Sequence, residues 1–230
     1  IWRSTKLFQR PPDGLVNFPI EDMICGHVWK KTINCNWKSF WENFNECLHC
    51  PNIHPELTEL VPMFTRKIIN PKDLPGYQEK SKNFDPKYSG GLRKGAETWS
   101  ENGSAQGKTI KSLSHEDLLK GHVYASSWPS MFIGGFADHV RIVKIMPVES
   151  EKIELTVEWL FEKDTVENED YNKSNVIDFA CRIMNQDGYA CELNQSGIHS
   201  NPHHHGVLMP EEYIIRNFHN WVKEQLDLKL

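Results

Sequence analysis

Four side chains define the chemistry this chain could perform. Residues 46–54 read Glu46-Cys47-Leu48-His49-Cys50-Pro51-Asn52-Ile53-His54, and a carboxylate that would complete a metal set, Asp187, lies far downstream. Two histidines and one carboxylate on one side of a metal leave the other side open. That is how mononuclear non-heme Fe(II) sites bind O2 beside a substrate. Glu46 and His49 are three residues apart, so on a helix they project about 60° apart around its axis. His54 falls just past the expected helix end, where the chain can fold back so that both histidines hold one ion.

Asp187 adds weight to this set. Val176, Ala180, Ile183, Asp187, Ala190 and Asn194 recur at steps of three and four on a second expected helix, and Asp187 is the only charge among them. An ionised carboxylate facing a core costs several kcal/mol unless it is paired or bound to metal. Each residue also has a plain reading. A helical histidine is commonly a packed, hydrogen-bonded side chain, and Asp187 could pair with Arg182 or Lys173.

Other metal-like patterns carry less. Cys47 and Cys50 form a C-x-x-C that imitates half a zinc site. Cys47, however, falls on the apolar face of the expected helix, away from His49, and no second C-x-x-C follows. Cys25-Gly26-His27 matches half of the C-x-H … C-x2-H iron–sulfur pattern, but no C-x2-H occurs in the chain, so it reads as a strand coincidence. His203-His204-His205, between Pro202 and Gly206, reads as a solvated loop that binds metal adventitiously.

The elements that must position these groups follow from periodicity and turn chemistry. Residues 1–22, with Pro11, Pro12, Gly14 and Pro19, read as an irregular lead-in, and 23–35 as a strand. Trp37, Phe40, Trp41, Phe44, Cys47 and Leu48 predict a helix over 37–50 that Pro51 ends. Residues 51–95 read as a long irregular connection, of a length that is usually functional. From about 96 the period shifts to two. Its clearest run is Ile153, Leu155, Val157, Trp159 and Phe161, with weaker strands at 107–114, 121–127, 130–136 and 139–147. Helices are expected over 175–195, stopped by Gly197, and over 210–226, opened by Pro210 with Glu211 and Glu212. These parts assemble as α+β, an antiparallel sheet gripping a long C-terminal helix. Trp99, Trp128, Phe132, Phe136 and Trp159 are candidates for a pocket wall, the alternative being ordinary sheet core.

Composition sets outer bounds. The 230 residues suffice for one large domain or two small ones, with ample material for a core. A formal net charge of -5 argues against nucleic acid or an anionic membrane as partner. No apolar run approaches the roughly 18 residues of a membrane span. No signal peptide opens the chain, so the six cysteines read as free or metal-bound thiols in a cytoplasmic protein, not a disulfide framework. The chain starts at Ile1 rather than at methionine, as a fragment or processed product would.

The segment Asn36-Trp37-Lys38 … Glu42-Asn43-Phe44-Asn45-Glu46 … His49 … His54-Pro55-Glu56-Leu57 resembles the Rieske-type ring-hydroxylating oxygenases, at the catalytic domain of their alpha subunit. Gln186-Asp187-Gly188 … Cys191-Glu192 … Gln195-Ser196-Gly197 resembles the helix that supplies the third iron ligand. Pro210 to Leu226 is similar to the closing helix, so the likeness covers about residues 20–226.

The resemblance implies a helix-grip (START-like, SRPBCC) fold, with a catalytic domain over 23–230 and a Rieske domain expected upstream. It implies His49, His54 and Asp187 as ligands of a mononuclear Fe(II). Glu46 would be the acid that bridges to a histidine of a neighbouring subunit's 2Fe–2S centre within a homotrimer. Glutamate there, where the family usually has aspartate, is similar to the branch acting on choline, betaine, stachydrine and carnitine, and Gly95-Ala96-Glu97-Thr98-Trp99 resembles betaine demethylases. The implied reaction is O2-dependent, with electrons from NAD(P)H through a ferredoxin or flavin reductase. It would hydroxylate an arene or remove an N-methyl group from a small substrate. The readings it competes with are a non-catalytic helix-grip protein that binds a hydrophobic ligand, and a zinc hydrolase.

Overall fold

The computed structural model of the chain describes residues 13–65, 76–200 and 206–226. Its frame is one antiparallel sheet of β1 (Ile24–Ile33), β2 (His122–Ser127), β3 (Met131–Phe136), β4 (Val140–Glu149) and β5 (Lys152–Phe161), in the order β1-β5-β4-β3-β2. The fold is therefore α+β, with β2 to β5 meandering and β1 added beyond β5. Alternation in β5 decides the faces. Ile153, Leu155, Val157, Trp159 and Phe161 are all buried on one side, and register sets Trp159 beside Arg141 and Val157 beside Val143.

Onto that face packs α8 (Ser174–Ile198), through Val176, Ala180, Met184 and Cys191. Trp41 of α1 (Trp37–Asn43) stacks on Phe132 at 4.1 Å, and Phe218 of α9 (Tyr213–Gln225) closes against Trp41 at 5.4 Å. Side chains of this size contribute about 1.5–3 kcal/mol each when fully buried. The other sheet face, with Ile133, Val140, Ile142 and Leu160, is covered by Leu15 and Phe18. The described part of the lead-in is thus packed.

The structure departs from the expected elements in several places. Residues 37–50 are not one helix: α1 ends at Asn43, and α2 (Cys50–Ile53) and α3 (Pro55–Leu60) follow a turn. The apolar spacing persists, but polar side chains take over backbone partners. Asn45 Nδ2 donates to the Trp41 carbonyl at 2.6 Å, and the Glu46 carboxylate accepts the Leu48 N–H. Pro51 and Pro55 then open new helices, since a first-turn residue needs no N–H. Prolines between 51 and 95 therefore also mark helix starts, as at Pro86 in α5 (Pro86–Ser89), which follows α4 (Tyr77–Lys82).

No strand forms over 107–114. Gln106 and Gly107 turn the chain at φ +54° and +72°, and Ser114 and Asp117 make a capping box for α6 (His115–Lys120). The long helix across the sheet is α8, with 25 residues, not the closing α9, with 13; it also runs on past Gly197. α7 (Lys163–Glu167) is a short connector. Cys47 and Cys50 form a disulfide, against the expectation of free or metal-bound thiols, while Cys25, Cys35, Cys181 and Cys191 are free. The two-residue spacer of the C-x-x-C brings the two sulfurs together once α1 has ended. His203–His205 lie outside the described residues.

A buried polar knot ties the Trp99 segment to the sheet. Asp138 accepts from Thr98 Oγ1 at 2.5 Å, Tyr171 Oη at 2.6 Å and His139 Nδ1 at 2.7 Å. Asp138→Ala strands these buried donors at about 1–3 kcal/mol each, so unfolding free energy should fall by at least about 3 kcal/mol. Urea titration reads this directly, and a loss under about 1 kcal/mol would show that other acceptors replace the carboxylate.

Candidate metal centre

His49 is the N-cap of the one-turn α2, and His54 sits at its other end, where α3 begins. A single turn followed by a proline-started helix brings the two imidazoles onto the same side. Their ring centroids are 5.2 Å apart and their planes nearly perpendicular, at 78°. Asp187, in the middle of α8, meets both: its Oδ1 lies 3.3 Å from His49 Nε2 and 2.9 Å from His54 Nε2. Cis ligands at about 2.1 Å from one divalent ion lie about 3 Å from each other, so these spacings fit two edges of a coordination shell. His54 and Asp187 are buried, whereas the His49 side chain keeps 19% exposure, so the group is reachable from one side.

Each ligand candidate is held from behind. Glu46 Oε1 accepts from His49 Nδ1 at 2.5 Å, and Gln186 Oε1 accepts from His54 Nδ1 at 2.7 Å. Protons on both Nδ1 atoms, assigned from these acceptors, aim both Nε2 atoms at Asp187. Gln186 donates in turn to Glu56 at 2.9 Å, and Asn43 Nδ2 donates to Asp187 Oδ1 at 2.8 Å.

The electrostatics match an anionic, metal-attracting pocket. Burial opposes charge on His49, but hydrogen bonds to Asp187 and Glu46, and their charges, raise its pKa to about 9. Burial likewise works against Asp187, yet hydrogen bonds from His49 and His54 hold its carboxyl below the usual carboxylate range. Cys50 Sγ also lies within 4.8 Å of the two histidine donor atoms. It is bonded to Cys47, and a disulfide sulfur is no thiolate. The ionised Asp187 is therefore the better third donor, and the zinc half-site has no free thiol.

The structure thus brings His49, His54 and Asp187 together with Glu46 behind them, by a route the sequence reading misdrew. Glu46 and His49 project from a turn, not from a helix. The apolar row through Asp187 continues along Gly188, Cys191 and Gln195; Ala190 is only half-buried and Asn194 is exposed. Arg182 pairs with Glu101 at 2.6 Å and Lys173 reaches the Val166 carbonyl, so neither neutralises Asp187.

Asn43 and Gln186 were not singled out from sequence. Their positions, beside Phe44 in one motif and directly before Asp187 in the other, were the available signal. Among the aromatics, Trp159 and Phe132 are core, and Trp128 packs on Trp221 at 5.7 Å. Trp99 and Phe136 instead join Cys50, Phe179 and Ile183 beside the centre.

A family model described as ring hydroxylating alpha subunit (catalytic domain) matches residues 20–228. The oxygenase subunit of glycine betaine monooxygenase from Pseudomonas aeruginosa is 24% identical over 212 residues, covering 83% of this chain and 49% of the relative. Chloroplastic choline monooxygenase from Atriplex hortensis is 25% identical over 104 residues, 45% of this chain and 24% of its own. The chain spans about half the length of the curated glycine betaine relative. Among solved structures, the quaternary ammonium Rieske monooxygenase CntA with L-carnitine superposes at a TM-score of 0.52 and 14% identity, over 92% of this chain and 50% of that one. At that identity the match concerns the fold. Among the described residues, no helix is long and apolar enough to cross a membrane.

Proposed function

Because the chain belongs to the family of ring-hydroxylating alpha subunits, at their catalytic domain, we propose that it is the iron-binding part of an O2-dependent oxidoreductase acting on a small quaternary ammonium compound. The observation that carries this is the spacing of His49 Nε2, His54 Nε2 and Asp187 Oδ1, at 3.3 and 2.9 Å, with a carboxylate behind His49. Two imidazoles and one carboxylate suit Fe(II) and leave positions open. A bound iron would supply O2 activation and oxygen transfer to an N-methyl carbon. The similarity to the glycine betaine and choline enzymes supports an N-methylated substrate over an arene. The five-stranded sheet with α8 laid across it supports the helix-grip assignment.

The chain's own residues have separable tasks in this reading. Glu46 and Gln186 hold the imidazoles in the tautomer that presents Nε2. Asn43 fixes the Asp187 carboxylate. Glu46 is also the acid expected to face a neighbouring subunit's 2Fe–2S centre in a trimer, so electrons originating from NAD(P)H would enter past the exposed side of His49.

Metal binding must displace the proton that His49 carries in the metal-free protein. With a pKa near 9, apparent Fe(II) affinity should rise about tenfold per pH unit from pH 6 to 8. Metal-free stability should run the other way. The pKa of His49 rises from 6.5 to about 9 on folding, so its charged bonds stabilise fully below pH 6.5 and are lost as pH climbs through 9. Anaerobic Fe(II) titrations and thermal melts at pH 6, 7 and 8 test both. A pH-independent affinity would remove His49 from the ligand set. Zinc-dependent hydrolysis without O2 or reductant would replace the oxygenase reading.

A further inference from the structure

The sheet face turned toward the metal centre carries a cation with no anion. Arg141, on β4, is only 3% exposed, and among the described residues no carboxylate lies within ion-pair distance of it. Among the described residues its side chain makes one hydrogen bond, from Nη2 to Tyr124 Oη at 2.9 Å, and its Nε has no partner. The guanidinium lies over the rings of Phe136 and Trp99, at 5.2 and 5.9 Å. Trp99 Nε1 and His122 Nδ1, in rings 5.0 Å apart, are likewise buried and unpartnered. A buried guanidinium lacking a counter-charge costs several kcal/mol, and unmatched polar atoms add to that. Arg141 Nε, Trp99 Nε1 and His122 Nδ1 thus leave three unmatched polar atoms in one patch around an uncompensated cation.

The patch adjoins the centre. Tyr124, whose ring meets those of Trp99, His122 and Phe136, keeps 40% of its surface exposed, so the patch meets the protein surface at this residue. Phe44, which meets Tyr124 at 6.4 Å, directly follows Asn43, the residue bonded to Asp187.

We propose that Arg141, with Trp99 and His122 beside it, binds the carboxylate of the substrate, which is therefore a zwitterion carrying both a quaternary ammonium and a carboxylate. This rests on the oxygenase reading of the neighbouring site. The planar fork of arginine matches a carboxylate, which can accept from Nε and Nη2 together. Holding that end at the sheet turns the N-methyl end toward His49, His54 and Asp187.

The test compares glycine betaine with choline, which has the same trimethylammonium head and no carboxylate. Calorimetric titration of the iron-loaded protein should show glycine betaine binding about 10- to 100-fold more tightly than choline, the worth of a charge-assisted bond. Arg141→Met should abolish that preference and leave choline binding unchanged. Arg141→Lys keeps the charge without the fork, should lose part of the preference, and serves if the methionine variant does not fold. Equal binding of the two ligands by the wild type, or a wild-type preference in either variant, overturns the proposal. Iron content of the same samples separates the failures. Iron without a glycine betaine preference sinks the subsite alone, and an Arg141-dependent preference without iron sinks the oxygenase reading alone.

Discussion

Replacing Asp187 by alanine should give a folded chain that holds no iron and has no O2-dependent activity. Among the described residues, the carboxylate is the only anion in contact with both imidazole Nε2 atoms, and it supplies the charge that draws a divalent ion into a buried site. Changes to outer partners of metal ligands typically cost about 10–100-fold in affinity, and loss of a direct ligand should cost more. Folding should survive, because removing a buried carboxylate also removes its desolvation penalty, which offsets the stranded Asn43 amide. Asp187→Asn, nearly the same shape without the charge, should behave like the alanine variant. The check is metal analysis after anaerobic loading, alongside circular dichroism. Stoichiometric iron in either variant would end the ligand assignment. The same substitution should lower the His49 pKa, since a main source of its rise is gone.

Glu46→Ala should separate iron binding from electron delivery. The carboxylate touches His49 Nδ1 and the Leu48 N–H, and it contacts neither Nε2 nor Asp187. Iron should remain bound when supplied in excess, with affinity lower by about 10–100-fold at most, as for other outer partners. Turnover driven by a reductase should fall at least that far, while single turnover with a chemical reductant added directly should be nearly preserved. Equal losses with both electron sources would reduce Glu46 to a positioning residue for His49. An iron-free variant even at excess metal would refute the bridging role. Glu46→Asp, the shorter acid, should recover part of the reductase-driven rate.

How much of this was legible in the sequence differs by element. Strand β5 and helices α8 and α9 were readable because each has one face turned to a core, and a buried face writes its period into the residue order. The break after Asn43 was not. The apolar spacing of Phe44, Cys47 and Leu48 continues through it, while Asn45 and Glu46 redirect backbone hydrogen bonds without disturbing that pattern. Pro51, Pro55 and Pro86 fall in a stretch that reads as an irregular connection, although proline is equally at home on the first turn of a helix, and only tertiary packing chooses between the two. The C-x-x-C showed that a short loop could close but not whether it would.

The candidate centre divides along the same line. Residue types and order alone determined that two histidines, an acid three residues before the first of them, and a lone carboxylate in an apolar helical row were present, because burying such groups is costly enough to need a reason. Tertiary structure alone decided that they meet. It set Asp187 against both imidazoles, the nearer of them 133 residues away in the chain, chose Gln186 and Asn43 as their supports, and placed Arg141 without a counter-charge beside Trp99. Those outcomes depend on strand register and on which turn of α8 faces α2. Sequence spacing cannot fix either, because both arise from contacts between segments that are distant in the chain.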